Sequence, residues 1–166
     1  MSNFAIESMS IADWDAVAAI YLEGIATGQA TFETEAPSWE QWDADHYPFA
    51  RLVARSASQV LGWSALSPTS QRQCYAGVAE ISVYVAEARR GNGIGQRLLQ
   101  QLISESERHG IWTLQAATFP ENEASLRLQK SCGFREIGSR RRVAQLYNVW
   151  RDTVLTERRS RIVGIA

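Results

Sequence analysis

The most constraining feature of this sequence is the stretch Arg90-Gly91-Asn92-Gly93-Ile94-Gly95, called the glycine loop below. It follows residues 79–85, whose β-branched side chains predict a strand, and it precedes residues 96–109, whose leucine spacing predicts an amphipathic helix. Glycine permits the positive φ angles that a tight turn requires. The sequence therefore predicts a strand, a glycine turn and a helix in direct succession.

Two common nucleotide-binding motifs do not fit the glycine loop. Counted from Gly91, a dinucleotide fingerprint requires glycine where Gln96 stands, and a P-loop requires a Gly-Lys pair, which the sequence lacks. One interpretation is a plain tight turn. The other is an anion site, because the first N–H groups of a helix lack internal acceptors and the helix dipole adds positive charge there. Such a loop binds a diphosphate without lysine.

Strand and helix patterns alternate along the rest of the chain. Capping boxes at Ser10 and Ser38 mark the starts of two helices, and Gly110 and Gly133 mark the ends of two later ones. Strands are predicted over residues 4–7, 51–54, 60–66, 79–85, 112–118, 134–142 and 146–155, and helices over 10–26, 38–47, 96–109 and 121–132. We expect a single α+β domain over residues 1–166, with a mostly antiparallel sheet of about seven strands and helices on both faces.

Composition narrows the class of partner. The two cysteines, Cys74 and Cys132, have no metal-ligand spacing, so neither a metal site nor a disulfide framework is expected. No apolar run is long enough to span a bilayer, and the N-terminus lacks a signal-peptide pattern, which predicts a cytoplasmic protein without a membrane partner. The overall charge of -1 and the lack of a stacking motif disfavour a nucleic acid.

The charged residues are segregated along the chain. Residues 1–50 contain nine acidic residues and neither lysine nor arginine, whereas all 17 basic residues lie from Arg51 onward. Arginine suits phosphate recognition because its planar guanidinium donates two parallel hydrogen bonds. The segregation indicates either two solvated faces of opposite sign or an anionic ligand held by the later part of the chain.

Two motifs in register resemble those of the GNAT N-acetyltransferase superfamily. Arg90-x-x-Gly93-x-Gly95 after a strand resembles its pyrophosphate loop, and Asn122-x-x-Ser125-x-x-Leu128 followed by Gly133-Phe134 resembles its second block. Further stretches resemble the phosphinothricin acetyltransferase-like branch, namely Thr31-Phe32-Glu33-Thr34-Glu35, Glu80-x-Ser82-Val83-Tyr84-Val85 and Trp150-Arg151-Asp152. The resemblance extends from about Ile6 to Leu155.

The resemblance implies that acetyl-CoA is the co-substrate. Its expected binding residues are Val83, Tyr84, Val85, Arg90, Gly91, Asn92, Gly93, Ile94, Gly95, Asn122 and Ser125. In the superfamily the strand that corresponds to 81–85 splays from its neighbour and binds pantetheine as an added strand would. The N–H near Val83 would then stabilise the oxyanion of the thioester carbonyl. Asn122 is also interpretable as a helix N-cap, and the two roles are compatible.

The resemblance also implies a set of catalytic groups. Glu80 matches the carboxylate regarded as the general base, and its competing interpretation is a solvated or ion-paired carboxylate. Tyr147 stands where the archetype of the branch has histidine, and is interpretable either as a proton donor or as buried packing. Gln129 stands where an acid for the leaving thiolate is common. Direct attack of the amine is expected, because Cys132 has no base nearby in sequence.

The acceptor is expected to be a small amine, in particular the α-amino group of an amino acid of the phosphinothricin or methionine sulfoximine type. Phe32 would form an apolar wall of its site together with Trp63, and Tyr75 is a further candidate. Arg72 is interpretable as the partner of a substrate carboxylate or as an ordinary surface residue. A polyamine, an antibiotic amine or a protein N-terminus is the alternative acceptor, and an acetyl-CoA sensor is the non-catalytic alternative. Similarity to the branch suggests a homodimer.

Overall fold

The computed structural model describes residues 3–166. Its helices and strands are β1 (Ala5–Ser8), α1 (Trp14–Ala26), α2 (Trp39–Asp45), β2 (Leu52–Ser56), β3 (Gln59–Pro68), β4 (Val78–Val85), α3 (Ile94–Arg108), β5 (Thr113–Thr118), α4 (Glu123–Ser131), β6 (Arg135–Leu146) and β7 (Val149–Arg159). Short 3-10 turns lie at Ile11–Asp13, Gln73–Tyr75 and Glu87–Arg89. The predicted strands and helices occur in the predicted order, and the α+β class is confirmed. None of the helices in residues 3–166 is both long and apolar enough to cross a bilayer.

The capping box at Ser38 precedes α2 directly, whereas the one at Ser10 precedes the 3-10 turn Ile11–Asp13 that leads into α1. At α2, the Ser38 hydroxyl accepts from the Gln41 N–H at 3.2 Å, and the Gln41 side chain accepts from the Ser38 N–H at 3.2 Å. At the 3-10 turn, the Ser10 N–H donates to Asp13 at 2.9 Å. These contacts satisfy N–H groups that a helix start leaves without acceptors. They fix where the first helical turn after β1 and the helix α2 begin.

All seven strands form one sheet, in the order β1-β2-β3-β4-β5-β7-β6. Every neighbouring pair is antiparallel except β4 and β5. The parallel pairing of β4 with β5 covers only Val78–Glu80 against Thr113–Gln115, whereas β5 stays paired with β7 as far as Thr118. The sheet therefore opens between β4 and β5 beyond Glu80 and Gln115. This opening is called the gap below.

The two faces of the sheet carry separate hydrophobic cores. One forms around α3, with Leu98, Leu99 and Leu102 fully buried, and Ile81, Val83 and Val85 pack against it. The other forms around α1 and α2, with Val17, Trp42 and Trp63 buried, and Tyr84 packs against it. Because successive side chains of a strand point to opposite faces, Glu80 and Ser82 lie on the face of Tyr84. β4 therefore presents polar groups to α1 and α2 and apolar groups to α3.

The last hairpin differs from the sequence prediction. The sequence placed its turn near residues 143–145, but the turn is at Tyr147 and Asn148, whose φ angles are 48° and 65°. Asparagine tolerates this left-handed conformation, whereas a bulky residue such as tyrosine seldom adopts it. Only one of the two turn residues is therefore of a type that indicates such a turn in a sequence. β6 also contains two irregular registers, near Glu136 and near Arg140, which lengthen it beyond the predicted bounds.

Candidate active site

The gap exposes main-chain groups of β4 that no neighbouring strand pairs. The Ala86 N–H donates to the Leu61 carbonyl of β3 at 2.9 Å. Because antiparallel hydrogen bonds alternate along a strand, Tyr84 also directs its main-chain groups to β3, while Val83 and Val85 direct theirs away from it. The N–H and C=O groups of Val83 and Val85 thus face the gap. The splayed strand implied by the resemblance is present in this chain.

The glycine loop connects β4 to α3 through two left-handed residues. Gly91 has φ 79° and Gly93 has φ 78°, a region that residues with a Cβ atom seldom adopt. No atom lies within 4 Å of the position that a Cβ would take at either glycine. The Asn92 side chain braces the loop from within, since its Nδ2 donates to the carbonyls of Arg89 at 3.0 Å and Arg90 at 3.2 Å. The loop therefore requires glycine at these two positions because of their positive φ angles, since there is room for a side chain at both.

Main-chain donors at the start of α3 have no protein acceptor. Within residues 3–166, the first N–H after the loop to be bonded is that of Arg97, which donates to the Gly93 carbonyl at 3.2 Å. The N–H groups of residues 91–96 donate to no backbone or side-chain acceptor in the same part of the chain. Together with the positive end of the α3 dipole, they form a cradle that fits a diphosphate.

A single open cavity of about 1510 Å³ joins the glycine loop to Glu80. Its wall includes most of the residues expected to bind acetyl-CoA, namely Val83, Tyr84, Val85, Arg90, Gly91, Gly93, Ile94, Gly95, Asn122 and Ser125. Asn92 is not part of that wall, and its observed contacts are those that brace the loop. Phe32, Trp63 and Glu80 also line the cavity. The structure therefore brings together residues that lie far apart in the sequence.

Glu80 is the last residue of β4 to pair with β5, so its side chain lies at the apex of the gap. Its neighbours across the strands are Ser67 on β3 and Gln115 on β5. Burial raises the pKa of the Glu80 carboxyl, and the Arg140 charge lowers it by a smaller amount. Within residues 3–166 the carboxylate has no salt bridge. A half-buried carboxylate with a raised pKa and no salt-bridge partner is suited to accept a proton.

Asn122 performs the capping role that the sequence suggested. Its Oδ1 accepts from the Ser125 N–H at 3.2 Å, and its Nδ2 donates to the Gln29 carbonyl at 3.1 Å. The second bond ties the start of α4 to the loop that follows α1. Both Asn122 and Ser125 line the cavity, so capping does not exclude contact with a ligand.

Four aromatic side chains line the part of the cavity on the Glu80 face of β4, called the aromatic end below: Tyr21, Phe32, Trp63 and Tyr84. Trp63 stacks on Tyr84 with ring centroids 4.9 Å apart, and Tyr21 packs edge-on against Tyr84, also at 4.9 Å. Phe32 packs edge-on against Phe119 at 4.8 Å. Burial raises the pKa of Tyr84, and the neighbouring Tyr21 adds to that rise. These rings provide a rigid, mostly apolar wall.

His46 is a residue of this cavity that the sequence reasoning missed. Its ring stacks on Trp42 at 4.1 Å, and its Nδ1 lies 2.7 Å from the Trp42 carbonyl. Burial lowers the pKa of His46, which favours the neutral ring. A lone histidine after a short helix gave no signal in the sequence, because only the fold brings it to the cavity.

Three residues assigned from the resemblance lie outside the cavity wall. Tyr147 is 64% exposed at the tip of the last hairpin, so it is not buried packing. Arg72 is exposed, and its guanidinium lies 5.6 Å from the ring centre of Tyr75, which is also exposed. Each of these positions was assigned by counting along a motif, and such counting does not determine where a loop or a hairpin tip lies.

Comparison with known proteins decides the class. A model of the acetyltransferase (GNAT) family matches residues 14–134. The chain belongs to this family. It is an acyltransferase, and the resemblance drawn from its motifs is confirmed, including the phosphinothricin acetyltransferase-like branch.

Relatives and a solved structure agree with this assignment. Phosphinothricin N-acetyltransferase from Alcaligenes faecalis is 34% identical over 155 residues, covering 88% of this chain and 77% of that protein. The L-methionine sulfoximine/L-methionine sulfone acetyltransferase of Pseudomonas aeruginosa is 29% identical over 162 residues, covering 89% and 90%. The structure of yncA from Salmonella typhimurium, solved with its cofactor acetyl-CoA, has a TM-score of 0.86 and 25% identity, covering 95% of this chain and 94% of that one.

Proposed function

We propose that this protein acetylates the α-amino group of a small amino acid of the phosphinothricin or methionine sulfoximine type, by direct transfer from acetyl-CoA. Acetyl-CoA is the co-substrate, in keeping with the acetyltransferase family and with the cofactor of yncA. The observation that carries the proposal is one cavity with unpartnered N–H groups at one end and an unpaired, half-buried carboxylate at the other.

Each end of the cavity has a role in the proposed reaction. The N–H groups of residues 91–96 bind the diphosphate of coenzyme A, and the pantetheine arm lies in the gap along Val83 and Val85. Glu80 accepts the proton of the amine, directly or through water. The amine then attacks the thioester carbonyl, whose developing negative charge is stabilised by the Val83 N–H.

Direct attack is supported by the state of the cysteines. Burial raises the pKa of Cys132, which lowers the fraction of nucleophilic thiolate, and the residue is not part of the cavity wall. Cys74 is exposed and also outside that wall. Neither thiol lies where an acyl-enzyme would have to form, so a single transfer step is the simpler mechanism.

The acceptor class rests on the two relatives and on the aromatic end. Both relatives are named for amino-acid substrates that carry an α-amino group. Phe32 and Trp63 line the same cavity as Glu80, and their apolar surface suits a compact side chain better than a charged polyamine. We propose that these two rings hold the side chain of the acceptor while Glu80 faces its amine.

A panel of amines tests the proposal. Release of the CoA thiol is measured with phosphinothricin, methionine sulfoximine, common amino acids, a polyamine, an aminoglycoside and short peptides, and binding of acetyl-CoA is measured in parallel by thermal shift. We expect turnover with the amino acids. Turnover only with a peptide, a polyamine or an aminoglycoside would show that the proposed acceptor class is wrong. Binding of acetyl-CoA without any turnover would indicate a sensor. The homodimer and the cytoplasmic location stay predictions.

A further inference from the structure

A buried polar cluster lies where β5 ends and α4 begins. Gln129, on α4, is 3% exposed, and its side-chain amide makes three hydrogen bonds. Its Nε2 donates to the hydroxyl oxygens of Thr118 at 3.0 Å and Ser125 at 3.2 Å, and its Oε1 accepts from the Thr156 hydroxyl at 2.7 Å. Both amide protons of Gln129 are therefore used on hydroxyl oxygens.

This arrangement leaves two hydroxyl protons free. A hydroxyl that accepts a hydrogen bond keeps its own proton for another acceptor. Within residues 3–166 neither Thr118 nor Ser125 donates that proton to a protein group, whereas Thr156 donates its proton to Gln129. Thr118, Ser125 and Gln129 all line the cavity. The cluster thus leaves two hydroxyl donors available to a ligand.

The register of the strands locates these donors opposite Val83. The last paired residues of β4 and β5 are Glu80 and Gln115. Val83 lies three positions beyond Glu80, and Thr118 lies three positions beyond Gln115, so the two residues flank the gap at the same level. Ser125 joins Thr118 through the shared amide of Gln129. A thioester whose carbonyl met the Val83 N–H would therefore lie at the level of this cluster in the gap.

We propose that the hydroxyls of Thr118 and Ser125 donate hydrogen bonds to the thiolate of coenzyme A as it leaves, and that Gln129 is the positioning residue that aims them. This inference rests on the proposed function. When the amine N–C bond forms, the C–S bond breaks and its electron pair goes to sulfur. The amine proton passes to Glu80 and then to water. The hydroxyls keep their protons, because they are weaker acids than a thiol, and the released thiolate takes its proton from water.

Substitution of each hydroxyl tests the inference. Thr118→Val keeps the shape of the side chain and removes the donor, and Ser125→Ala does the same. We expect each to lower kcat by about tenfold to a hundredfold, the range of one hydrogen bond to a charged group, with the KM of the amine nearly unchanged. Thr118→Ser, which retains the hydroxyl, should show a much smaller decrease in kcat. Equal losses in Thr118→Ser and Thr118→Val would overturn the role of the hydroxyl.

A second measurement does not depend on turnover. Free CoA is bound to the protein, and ionisation of its thiol is followed by thiolate absorbance across pH, with the desulfo-CoA complex as the blank that subtracts Tyr21 and Tyr84. We expect bound CoA to ionise at lower pH than free CoA, because the two hydroxyls stabilise the thiolate. Thr118→Val, Ser125→Ala and Gln129→Met should each move that pH back by about one unit, equivalent to a tenfold change.

The two measurements separate this inference from the proposed function. If wild-type-bound CoA ionises at the same pH as free CoA, the inference is wrong whatever the acceptor is. If the protein acetylates none of the amines, the proposed acceptor is wrong, and the titration of bound CoA still decides the role of Thr118 and Ser125. Should Gln129→Met fail to fold, the two hydroxyl variants carry the test.

Discussion

The glycine loop presents main-chain N–H groups to the cavity, whereas the aromatic end presents side chains. Any sequence that allows positive φ at Gly91 and Gly93 can build the first, because the donors belong to the backbone. The second depends on which residues α1, β3 and β4 supply, and each ring there is held by another ring. Binding of a common co-substrate and choice of acceptor can therefore change separately. Four experiments test whether the two ends are in fact independent.

The largest effect is expected from Glu80→Gln, at the acceptor side of the cavity. The amide is close in shape to the carboxylate but cannot accept a proton, so kcat should fall by about a hundredfold to ten-thousandfold. Acetyl-CoA affinity, measured by calorimetry, should stay within about twofold, because the glycine loop is unchanged. An unchanged kcat would remove Glu80 as the base. A matching loss of acetyl-CoA affinity would show that the two ends are coupled.

Gly93→Val acts on the other end. A branched side chain at φ 78° strains the loop and projects into the space that the diphosphate would take, so the Kd for acetyl-CoA should rise by about a hundredfold. Gly110→Val is the matched control, because Gly110 has the same φ of 78° and open surroundings but does not line the cavity. We expect the control to lower thermal stability without changing that Kd. Equal effects of both variants on Kd would mean that backbone strain alone explains the loss.

Phe32→Ala compares a candidate substrate residue inside the cavity with one outside it. Loss of the ring removes an apolar wall and its edge-on contact with Phe119, so the KM of the amine should rise by about tenfold while acetyl-CoA affinity stays the same. Tyr75→Ala is the control, since Tyr75 is 46% exposed and away from the cavity wall. If only Tyr75→Ala altered the KM, the acceptor would bind at a different surface from the one proposed.

The smallest effect concerns the stability of Glu80 variants against pH. Burial raises the pKa of Glu80 in the folded protein above its ordinary value of 4.5. A raised pKa means that the ionised form destabilises the fold, and this cost appears as pH rises through the folded pKa. Glu80→Gln should therefore unfold at a slightly higher temperature than the wild type at neutral pH, by a difference that vanishes near pH 4. A variant less stable at neutral pH would show that the carboxylate is paired.

The fold and the glycine loop were predictable because their signals are local in the sequence. Ser10 and Ser38 cap helices through residues three positions away, and Gly93 needs only its own φ angle to start α3. The position of Tyr147 was not predictable in this way, since its turn is defined by pairing between β6 and β7. Local residue preferences were enough to predict the helix caps and the glycine loop. The pairing of distant strands determined which side chains lie beside them.

The polar contents of the gap show the same limit. The sequence marked Gln129 as a departure from the branch, but only the fold brings Thr118 and Thr156 to its amide from 11 and 27 residues away. His46 likewise reaches the cavity through tertiary packing. When several strands and helices contribute residues to one site, the residue spacing within a single element does not show which residues meet there.

The fork in the sheet makes two free edges in its middle, in addition to those at its ends. The outer edges are protected by a four-residue strand, β1, and by the arginines of β6. The inner edge at Val83 and Val85 has one such contact, from the Arg90 side chain to the Val85 carbonyl at 3.3 Å, and an extended pantetheine arm would complement its remaining groups. Amide hydrogen exchange at these two valines should therefore slow sharply when coenzyme A binds, if the proposed coenzyme position is right and the coenzyme acts as an added strand of the sheet.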